Sequence, residues 1–545
     1  MKFKNPIIPG YSPDPSICRV GDDFYLVNST FEFFPGVPIY HSTNLVNWEL
    51  IGHALTRESQ LYLEGCRNSG GIYAPTIRYH EGTFFMITTN VTHKGNFVVH
   101  TDDVRKGWSE PHWIDQGGID PSLFWDDDGT CYYCSTGFVD GVRGLVGFVI
   151  DPYTGEILSE KRILSTGCGG QCAEGPHMYK KDGWYYLMNA EGGTEYGHHE
   201  VVSRARSVWG PYEACPYNPI LCHSQRKGHE IQATGHADLV EDANGNWWAV
   251  FLGIRNFSHA LLHNLGRETF LAPVEWKDGW PVIGKDGYVE LEEEGMLPGE
   301  PIREQNFSMY LDFAQPISSY NVMFTRNPRM QNYGQDCENR VLTLDGTDVT
   351  INEPGASPTI ISFRQPDFET RVTAKVSLRG FTAARAGISA YYNNDYHYDI
   401  FVSNCDGEMF VGFYKHIHDM GVALAKVPVP EGTEAVELQI RTDREKYAFF
   451  CRMWAGTDKI AEEIPEAAAK IGDVYEIEKE RSIEGEKWEE KTSVGGTWQC
   501  IGSGLNAGLC TEGTYTMTFT GTLFALFAEN GKAAFLDGVR LDCEK

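Results

Sequence analysis

The architecture of this chain can be inferred from GIDPSLFWDDDGTCYYCS, residues 118–135. A short apolar run, a polar turn ending in Gly129 and a second run rich in aromatic residues form the pattern of a β-hairpin. The pattern returns in SPDPSICRVGDDFYLVNST (12–30), YAPTIRYHEGTFFMITTN (73–90), AEGPHMYKKDGWYYLMNA (173–190) and GHADLVEDANGNWWAVFLG (235–253). Aligned on an aromatic residue of the second strand, the five copies are separated by 60, 47, 54 and 62 residues. Repeats of about 40–60 residues built from short strands are typical of a β-propeller, so five copies predict five blades.

One position of the repeat carries mostly polar residues. Counting back 11 or 12 residues from each aligned aromatic residue gives Asp14, Ala74, Asp120, Glu174 and His236. The innermost strands of a propeller surround its channel, so we expect these positions to converge there. Carboxylates are costly to bury and cluster at functional sites. Turn capping is the alternative explanation for each acid, and it is less favoured for three copies in register.

Composition limits the class of protein. A chain of 545 residues exceeds one hydrophobic core, and its net charge of −29 disfavours nucleic acid and anionic membrane surfaces as partners. We find no signal-peptide pattern and no apolar run long enough to span a membrane, so the sequence predicts a cytoplasmic protein whose 14 cysteines are thiols. The spacings Cys131-x-x-Cys134 and Cys168-x-x-x-Cys172 lack partners that would complete a zinc site. A homo-oligomer is compatible with this sequence.

The character of the sequence changes after the fifth repeat. Residues 1–300 are predicted to form the propeller, 301–319 a linker, and 320–545 a β-sandwich, because strands such as ETRVTAKVSL and AAFLDGVRL recur without helical periodicity. A charge-dense insert at about 458–491 is predicted to be a solvated excursion from the sandwich.

A pocket with three carboxylates and aromatic walls suits glycoside hydrolysis, which needs one protonated acid and one ionised carboxylate. Asp14 lies between two prolines that fix its backbone, which suits a base that holds water, whereas the longer Glu174 suits the acid. Asp120 would raise the pKa of that acid by like-charge repulsion. Ala74 would add space, and Phe31 is a candidate sugar wall or a core residue. These residues alone leave inverting and retaining chemistry open.

The motifs resemble glycoside hydrolase family 43 over essentially the whole chain. The matching segments are NPIIPGYSPDPSICRVGDDFYLVNSTFEFFPGVPIYHS, GGIYAPTIRY, GIDPSLFWDDDG, AEGPHMY, EGGT, GHADLV and LGRETF. The resemblance implies a five-bladed propeller followed by a concanavalin-like β-sandwich, an inverting mechanism, and the three acid roles given above. It implies that Arg267 contacts substrate hydroxyls and that Phe31, Tyr73 and Thr194 line the terminal sugar site, next to Ala74 from the repeat. It requires no cofactor and allows a structural calcium ion in the channel near His236.

Similar enzymes with two domains act on terminal β-D-xylose, α-L-arabinofuranose or both. We therefore predict an exo-acting, inverting hydrolase that releases one or both sugars from arabinoxylan-derived or xylan-derived oligosaccharides. The alternatives are a β-xylosidase of single specificity, a sugar-binding propeller without turnover and a protein-interaction propeller. In similar enzymes a loop of the sandwich closes the pocket, but TYTMTFTGTL departs from the expected aromatic pattern and its tip is not assigned.

Overall fold

A computed structural model describes residues 1–257, 262–319, 321–405, 407–455, 498–508 and 518–543. The chain divides into two compact units, Met1–Gln305 with Met517–Thr520, and Asn306–Thr516 with Gly521–Lys545. Among the described residues, no helix has the length and hydrophobicity needed to cross a membrane.

The first unit is built almost wholly from antiparallel strands. Its strands are β1 (Lys2–Lys4), β2 (Ser16–Val20), β3 (Asp23–Val27), β4 (Phe33–Phe34), β5 (Gly36–Ser42), β6 (Glu49–Leu55), β7 (Thr76–His80), β8 (Thr83–Asn90), β9 (Gly95–Thr101), β10 (His112–Trp113), β11 (Ser122–Trp125), β12 (Cys131–Val139), β13 (Val142–Val149), β14 (Arg162–Ser165), β15 (Glu174–Lys181), β16 (Trp184–Glu191), β17 (His199–Ala205), β18 (Glu213–Ala214), β19 (Leu221–Cys222), β20 (Ile231–Glu241), β21 (Trp247–Arg255), β22 (Glu268–Lys277), β23 (Trp280–Ile283) and β24 (Glu292–Glu294).

Each sequence repeat forms the first two strands of one sheet. The sheets have the orders β2-β3-β5-β6, β7-β8-β9-β10, β11-β12-β13-β14, β15-β16-β17-β18 with β19 beside β17, and β20-β21-β22-β23. The first strand of every sheet contacts the first strand of the next, and β20 contacts β2, so these strands form a closed ring. The all-β propeller predicted from the sequence is confirmed.

The N-terminal residues tie the ring to its last sheet. Asn5 donates from Nδ2 to the Leu271 carbonyl at 2.9 Å, and its Oδ1 accepts from the Leu271 N–H at 2.9 Å. The Ile7 N–H donates to the Thr269 carbonyl at 2.9 Å. These bonds link the start of the chain to β22 and so hold the first and last sheets together.

The second unit is a sandwich of two antiparallel sheets. Its strands are β25 (Met309–Asp312), β26 (Phe324–Thr325), β27 (Tyr333–Asp336), β28 (Val341–Gly346), β29 (Ile360–Arg364), β30 (Thr370–Ser377), β31 (Arg385–Asn393), β32 (Tyr396–Cys405), β33 (Glu408–Ile417), β34 (Met420–Pro428), β35 (Ala435–Thr442), β36 (Lys446–Trp454), β37 (Gln499–Asn506), β38 (Leu523–Glu529) and β39 (Gly531–Cys543). The sheet orders are β27-β28-β39-β30-β35-β36-β37, with β25 beside β39, and β29-β38-β31-β32-β33-β34. Phe413 of β33 and Phe449 of β36 meet across the core with ring centroids 4.6 Å apart. Two short 3-10 helices cover Ile317–Ser319 and Met330–Asn332.

The predicted sandwich is confirmed. The stretch interpreted as a linker, 301–319, contains β25. This strand, Met309–Asp312, pairs with β39 and so belongs to the larger sheet of the sandwich. The charged insert at about 458–491 lies outside the described residues.

Candidate active site

A cavity of about 320 Å³ in the first unit brings together the residues singled out from the sequence. Its volume is at the lower end of the range for small-ligand pockets. The predicted site residues that line it are Asp14, Phe31, Tyr73, Ala74, Asp120, Glu174, Thr194, His236 and Arg267. Positions up to 253 residues apart in the chain therefore share one pocket.

Asp14 is buried and held by three neighbours. Ser29 Oγ donates to Asp14 Oδ2 at 2.5 Å, and Arg267 Nη1 donates to Asp14 Oδ1 at 3.2 Å. The Nδ1 atom of His236 lies 3.6 Å from the same Oδ1. These contacts fix the orientation of the Asp14 carboxylate in the cavity.

The backbone at the channel mouth has a repeated special conformation. Asp14, Asp120 and His236 all have positive φ, of 51°, 58° and 51°, and the residue with this conformation in the fourth repeat is Gly175, at 58°. Gly175, rather than Glu174, is therefore the residue equivalent to Asp14, Asp120 and His236. The sequence alignment was one residue out here, at the point where the pairing of β15 with β16 shifts register. A Cβ on Gly175 would lie 2.8 Å from the His236 ring, so a side chain at this position fits only poorly, and the acid stands one residue earlier.

Asp120 and Glu174 are coupled acids. Burial and the charges of Glu174 and Asp14 raise the pKa of Asp120 well above its ordinary value, while the Gly175 N–H donates to its Oδ2 at 3.2 Å. Burial also raises the pKa of Glu174, and the Arg143 guanidinium, with Nη2 3.3 Å from Glu174 Oε1, opposes that rise. The sequence interpretation assigned the raised pKa of Glu174 to like-charge repulsion from Asp120, whereas burial raises the pKa of Glu174 and the like-charge repulsion acts on Asp120.

Arg267 lines the cavity and is held by further contacts. Its Nη1 also donates to Thr194 Oγ1 at 2.8 Å, and its Nη2 donates to the Phe519 carbonyl at 3.0 Å. The guanidinium carbon is 5.5 Å from the centroid of the Phe31 ring and 5.3 Å from that of Phe519. Arg267 is therefore fixed in place while it faces the cavity.

Phe519 is a site residue that the sequence interpretation missed. Its N–H donates to Ser69 Oγ at 2.9 Å, and its ring lies 5.6 Å from Phe31 and 5.9 Å from Tyr73 between centroids. Phe31 and Tyr73 are themselves 5.3 Å apart. The three rings form one apolar wall, so Phe31 is both buried and part of the pocket. A single phenylalanine in TYTMTFTGTL gave too weak a signal to assign.

His198 is a further residue of the lining. Burial lowers its pKa to about 3, and its Nδ1 lies 3.1 Å from the Ala233 carbonyl oxygen. The neutral ring must donate from Nδ1 to that carbonyl, which leaves Nε2 as a hydrogen-bond acceptor. His198 Nε2 can therefore accept a hydrogen bond from a hydroxyl group of a neutral ligand.

His236 lies beside Asp14, and among the described residues no cluster of metal-ligating side chains surrounds it. Calcium takes six to eight oxygen ligands. The described residues contain no group of three His, Cys, Asp or Glu side chains able to hold a metal ion, and the nearby Asp14 carboxylate already has two donors. Burial lowers the pKa of His236, so its ring is neutral at pH 7. Hydrolysis by carboxylates requires no cofactor.

A buried ion pair lies beneath the acids. Asp238, two residues beyond His236, is fully buried and pairs with Arg78 through Nη1–Oδ2 at 2.7 Å and Nη2–Oδ1 at 3.0 Å. Its oxygens also accept from Ser16 Oγ at 2.6 Å, from the Ile17 N–H at 3.0 Å and from the Tyr179 hydroxyl at 2.6 Å. Asp238 thus joins the strands that carry Asp14, Glu174 and His236 to β7, and the sequence interpretation did not identify it.

A propeller whose channel mouth holds three carboxylates, an arginine and an aromatic wall is equipped for acid–base hydrolysis of a glycosidic bond. Residues 3–281 match the family model described as glycosyl hydrolases family 43, and residues 311–481 match a β-xylosidase C-terminal concanavalin A-like domain. The chain belongs to glycoside hydrolase family 43 and is a glycoside hydrolase, which confirms the family and the fold inferred from its motifs.

Relatives match over most of their own length. The non-reducing end α-L-arabinofuranosidase BoGH43B of Bacteroides ovatus is 42% identical over 82% of this chain and 84% of its own. A xylosidase/arabinosidase of Butyrivibrio fibrisolvens is 40% identical over 73% of this chain and 79% of its own. A solved structure described as Bacteroides ovatus xyloglucan PUL GH43B is 37% identical, has a TM-score of 0.85, and is matched over 100% of both chains.

Proposed function

We propose that this enzyme releases terminal α-L-arabinofuranosyl residues, terminal β-D-xylosyl residues or both from arabinoxylan-derived or xylan-derived oligosaccharides, with inversion at the anomeric carbon. The observation that carries the proposal is the convergence of Asp14, Asp120 and Glu174 on one small cavity with an aromatic wall. A cavity of this size suits one terminal sugar better than an internal stretch of a polysaccharide, which supports exo action.

Glu174 is the general acid in this proposal. Burial raises its pKa, so the carboxyl keeps its proton closer to neutral pH than an ordinary glutamic acid does. It donates that proton to the glycosidic oxygen as the bond from this oxygen to the anomeric carbon breaks. Asp120 shares a coupled titration with Glu174, and the pair retains a proton at a higher pH than an isolated carboxyl group would.

Asp14 is the general base. Its carboxylate, oriented by Ser29 and Arg267, takes a proton from a water molecule whose oxygen attacks the anomeric carbon. The water oxygen forms the new bond on the face opposite the departing oxygen, which inverts the configuration. Arg267 and the Nε2 atom of His198, which both line the cavity, bind the hydroxyls of the terminal sugar in this proposal.

The relatives support both sugars as substrates, since one is named an α-L-arabinofuranosidase and another a xylosidase/arabinosidase. Single specificity for β-D-xylose is the alternative. Its test is the ratio of kcat/KM for the two matched aryl glycosides.

An NMR time course with the aryl β-D-xyloside and the aryl α-L-arabinofuranoside tests the reaction. First release of the inverted anomer supports Asp14 as a base acting on water, whereas first release of the retained anomer would make one carboxylate a nucleophile. Lack of turnover of both substrates would refute the proposed sugars.

We also infer that the enzyme works in the cytoplasm on imported oligosaccharides. The cysteines that the structure describes are free thiols, several of them buried, which suits a reducing compartment. Localising the native protein by cell fractionation tests this inference.

A further inference from the structure

A buried glutamate holds the loop that leads into the general acid. Glu191 ends β16, and its side chain is 1% exposed. Its Oε1 accepts from the Cys168 N–H at 2.5 Å, and its Oε2 accepts from the Gly170 N–H at 2.6 Å. Both donors lie in the loop 166–173, which connects β14 to β15 and ends where Glu174 begins. Each oxygen of this carboxyl group therefore fixes a different point of the loop.

The loop is shaped around the carboxyl group. A Cβ on Gly167 would lie 2.5 Å from Glu191 Oε1, and a Cβ on Gly170 would lie 2.8 Å from Glu191 Cβ. Glycine at both positions lets the backbone approach the carboxyl group, which a larger residue would push away. The Gly192 N–H also donates to the Gln171 carbonyl at 2.7 Å. The loop is thus bound both to Glu191 and to the residue that follows it.

Pocket residues lie on both sides of Glu191 in the chain. In the pairing of β15 with β16, Glu174 lies opposite Ala190, the residue before Glu191. Thr194, three residues after Glu191, accepts from Arg267 Nη1 at 2.8 Å. Ala190 and Thr194 line the cavity, whereas the Glu191 carboxyl group is directed to the loop. Glu191 therefore acts on the pocket through its neighbours.

General acid catalysis depends on where the acid stands. The carboxyl group must be within hydrogen-bond reach of the glycosidic oxygen, and displacement by about 1 Å can cost a hundredfold in rate. Glu174 is the first residue of β15, and the pairing of β15 with β16 shifts register between Glu174 and His177. The ladder alone therefore constrains Glu174 on one side, and the loop that Glu191 holds constrains it on the other.

We propose that Glu191 is a positioning residue for the general acid: its two hydrogen bonds to the loop set the place of the Glu174 carboxyl group relative to the glycosidic oxygen. This inference rests on the proposed function. Glu191→Gln keeps the size of the side chain, but an amide offers one oxygen and one NH₂ group, so one of the two loop N–H groups then faces a donor. The loop shifts away from that clash, and Glu174 shifts with it.

The test compares two leaving groups on one sugar. Phenyl β-D-xyloside has a poor leaving group that needs the acid, whereas 2,4-dinitrophenyl β-D-xyloside has an activated one that does not. We expect Glu191→Gln to lower kcat for the phenyl glycoside by about tenfold to a hundredfold, while kcat for the dinitrophenyl glycoside and both KM values change by less than about threefold. The α-L-arabinofuranosides of the same phenols replace the xylosides if the unaltered enzyme acts only on that sugar.

Asp242→Asn is the matched control. Asp242 is 2% exposed and accepts from the Asn244 and Asn246 N–H groups at 2.8 and 3.0 Å, in the turn between β20 and β21. Replacing this buried acid by its amide should lower the melting temperature without changing the ratio of kcat for the two glycosides. Gly170→Ala displaces the loop while Glu191 stays intact, so it should reproduce the selective loss on the phenyl glycoside.

A double-mutant cycle shows whether Glu191 acts through the acid. In the Glu174→Ala protein, adding Glu191→Gln should have no further effect on kcat for the phenyl glycoside. The same loss with and without Glu174, or an equal loss on both glycosides in a folded Glu191→Gln protein, would overturn the positioning role.

Circular dichroism melting shows whether each variant is folded at the assay temperature. If Glu191→Gln is not, the ratio measured for Gly170→Ala decides in its place, and an unchanged ratio would overturn the proposal. Failure of the unaltered enzyme to hydrolyse the dinitrophenyl glycosides of both sugars would instead overturn the proposed function.

Discussion

Replacing Asp238 with asparagine tests whether the buried ion pair beneath the pocket maintains the geometry of the acids. The carboxylate is fully buried and accepts five hydrogen bonds, two of them from Arg78. Burial raises its pKa, but the Arg78 charge outweighs this, so the pKa of Asp238 lies well below its ordinary range. Asp238→Asn keeps the shape, removes the negative charge and leaves the guanidinium without its counter-ion.

The expected loss of stability follows from that unpaired charge. Removing one partner of a buried ion pair costs about 3–5 kcal/mol, which lowers the melting temperature of a unit of this size by roughly 5–15 °C. A depressed carboxyl pKa contributes stability that is present above the unfolded pKa of about 3.9 and is lost as the pH falls below it. The difference in the free energy of unfolding between the unaltered protein and Asp238→Asn should therefore be largest near pH 7 and should become smaller below about pH 4.

Activity separates positioning from simple stabilisation. Asp238 bonds to residues two positions beyond Asp14 and five beyond Glu174, so its replacement should shift both acids relative to the sugar. We expect kcat to fall by about tenfold or more at a temperature where the variant is folded, with a smaller change in KM. The double variant Arg78→Met with Asp238→Leu carries no buried charge and should recover stability but not kcat.

Differential scanning calorimetry at pH 7 and pH 3, with steady-state kinetics on the aryl glycosides, measures both effects. A loss of less than about 1 kcal/mol at pH 7, or the same loss at both pH values, would refute the reasoning about the ion pair. A destabilised variant with full kcat would show that the pair stabilises the ring without positioning the acids.

Three further replacements follow from the pocket. Glu174→Ala should lower kcat by about 10²–10⁴-fold on glycosides with poor leaving groups and spare those with activated phenols, and equal loss on both would remove Glu174 as the acid. Arg143→Met should move the alkaline limb of the kcat/KM profile to higher pH, because Arg143 opposes the rise in the Glu174 pKa; an unmoved or lowered limb would contradict this. Phe519→Ala should raise KM for aryl glycosides about threefold to tenfold by opening the aromatic wall, whereas an unchanged KM would place Phe519 outside the sugar site.

Local repetition made much of this structure predictable. Each hairpin carries its own turn and its own aromatic strand, so one repeat predicts one sheet, and five repeats predict a ring. Asp14 and Asp120 were found because they hold the same place in that unit. Glu174 was found one residue away from the equivalent place, because the requirement for Gly175 beside His236 depends on a contact between two different sheets.

Residues that depend on distant contacts were the ones missed. Phe519 lies more than 250 residues beyond Arg267, whose guanidinium donates to the Phe519 carbonyl. No local sequence pattern predicts a contact between residues so far apart. Arg143 follows a turn after the second strand of its repeat, where a lone arginine is ordinary surface. Such residues become visible only when the fold places them beside an acid already identified.

Asp238 differs, because the repeat itself could have revealed it. We call the repeat position of Asp14, Ala74, Asp120, Gly175 and His236 the first layer of the channel mouth. The residues two positions further along each repeat form a second layer: Ser16, Thr76, Ser122, His177 and Asp238. Four of these are neutral at pH 7, since burial lowers the pKa of His177 to about 3. One carboxylate in that ring requires a cation, and Arg78, two residues beyond Thr76, comes from the sheet whose first-layer residue is the uncharged Ala74. The sheet that places only Ala74 at the pocket therefore supplies the cation that, with Asp238, links β7 to β2, β15 and β20.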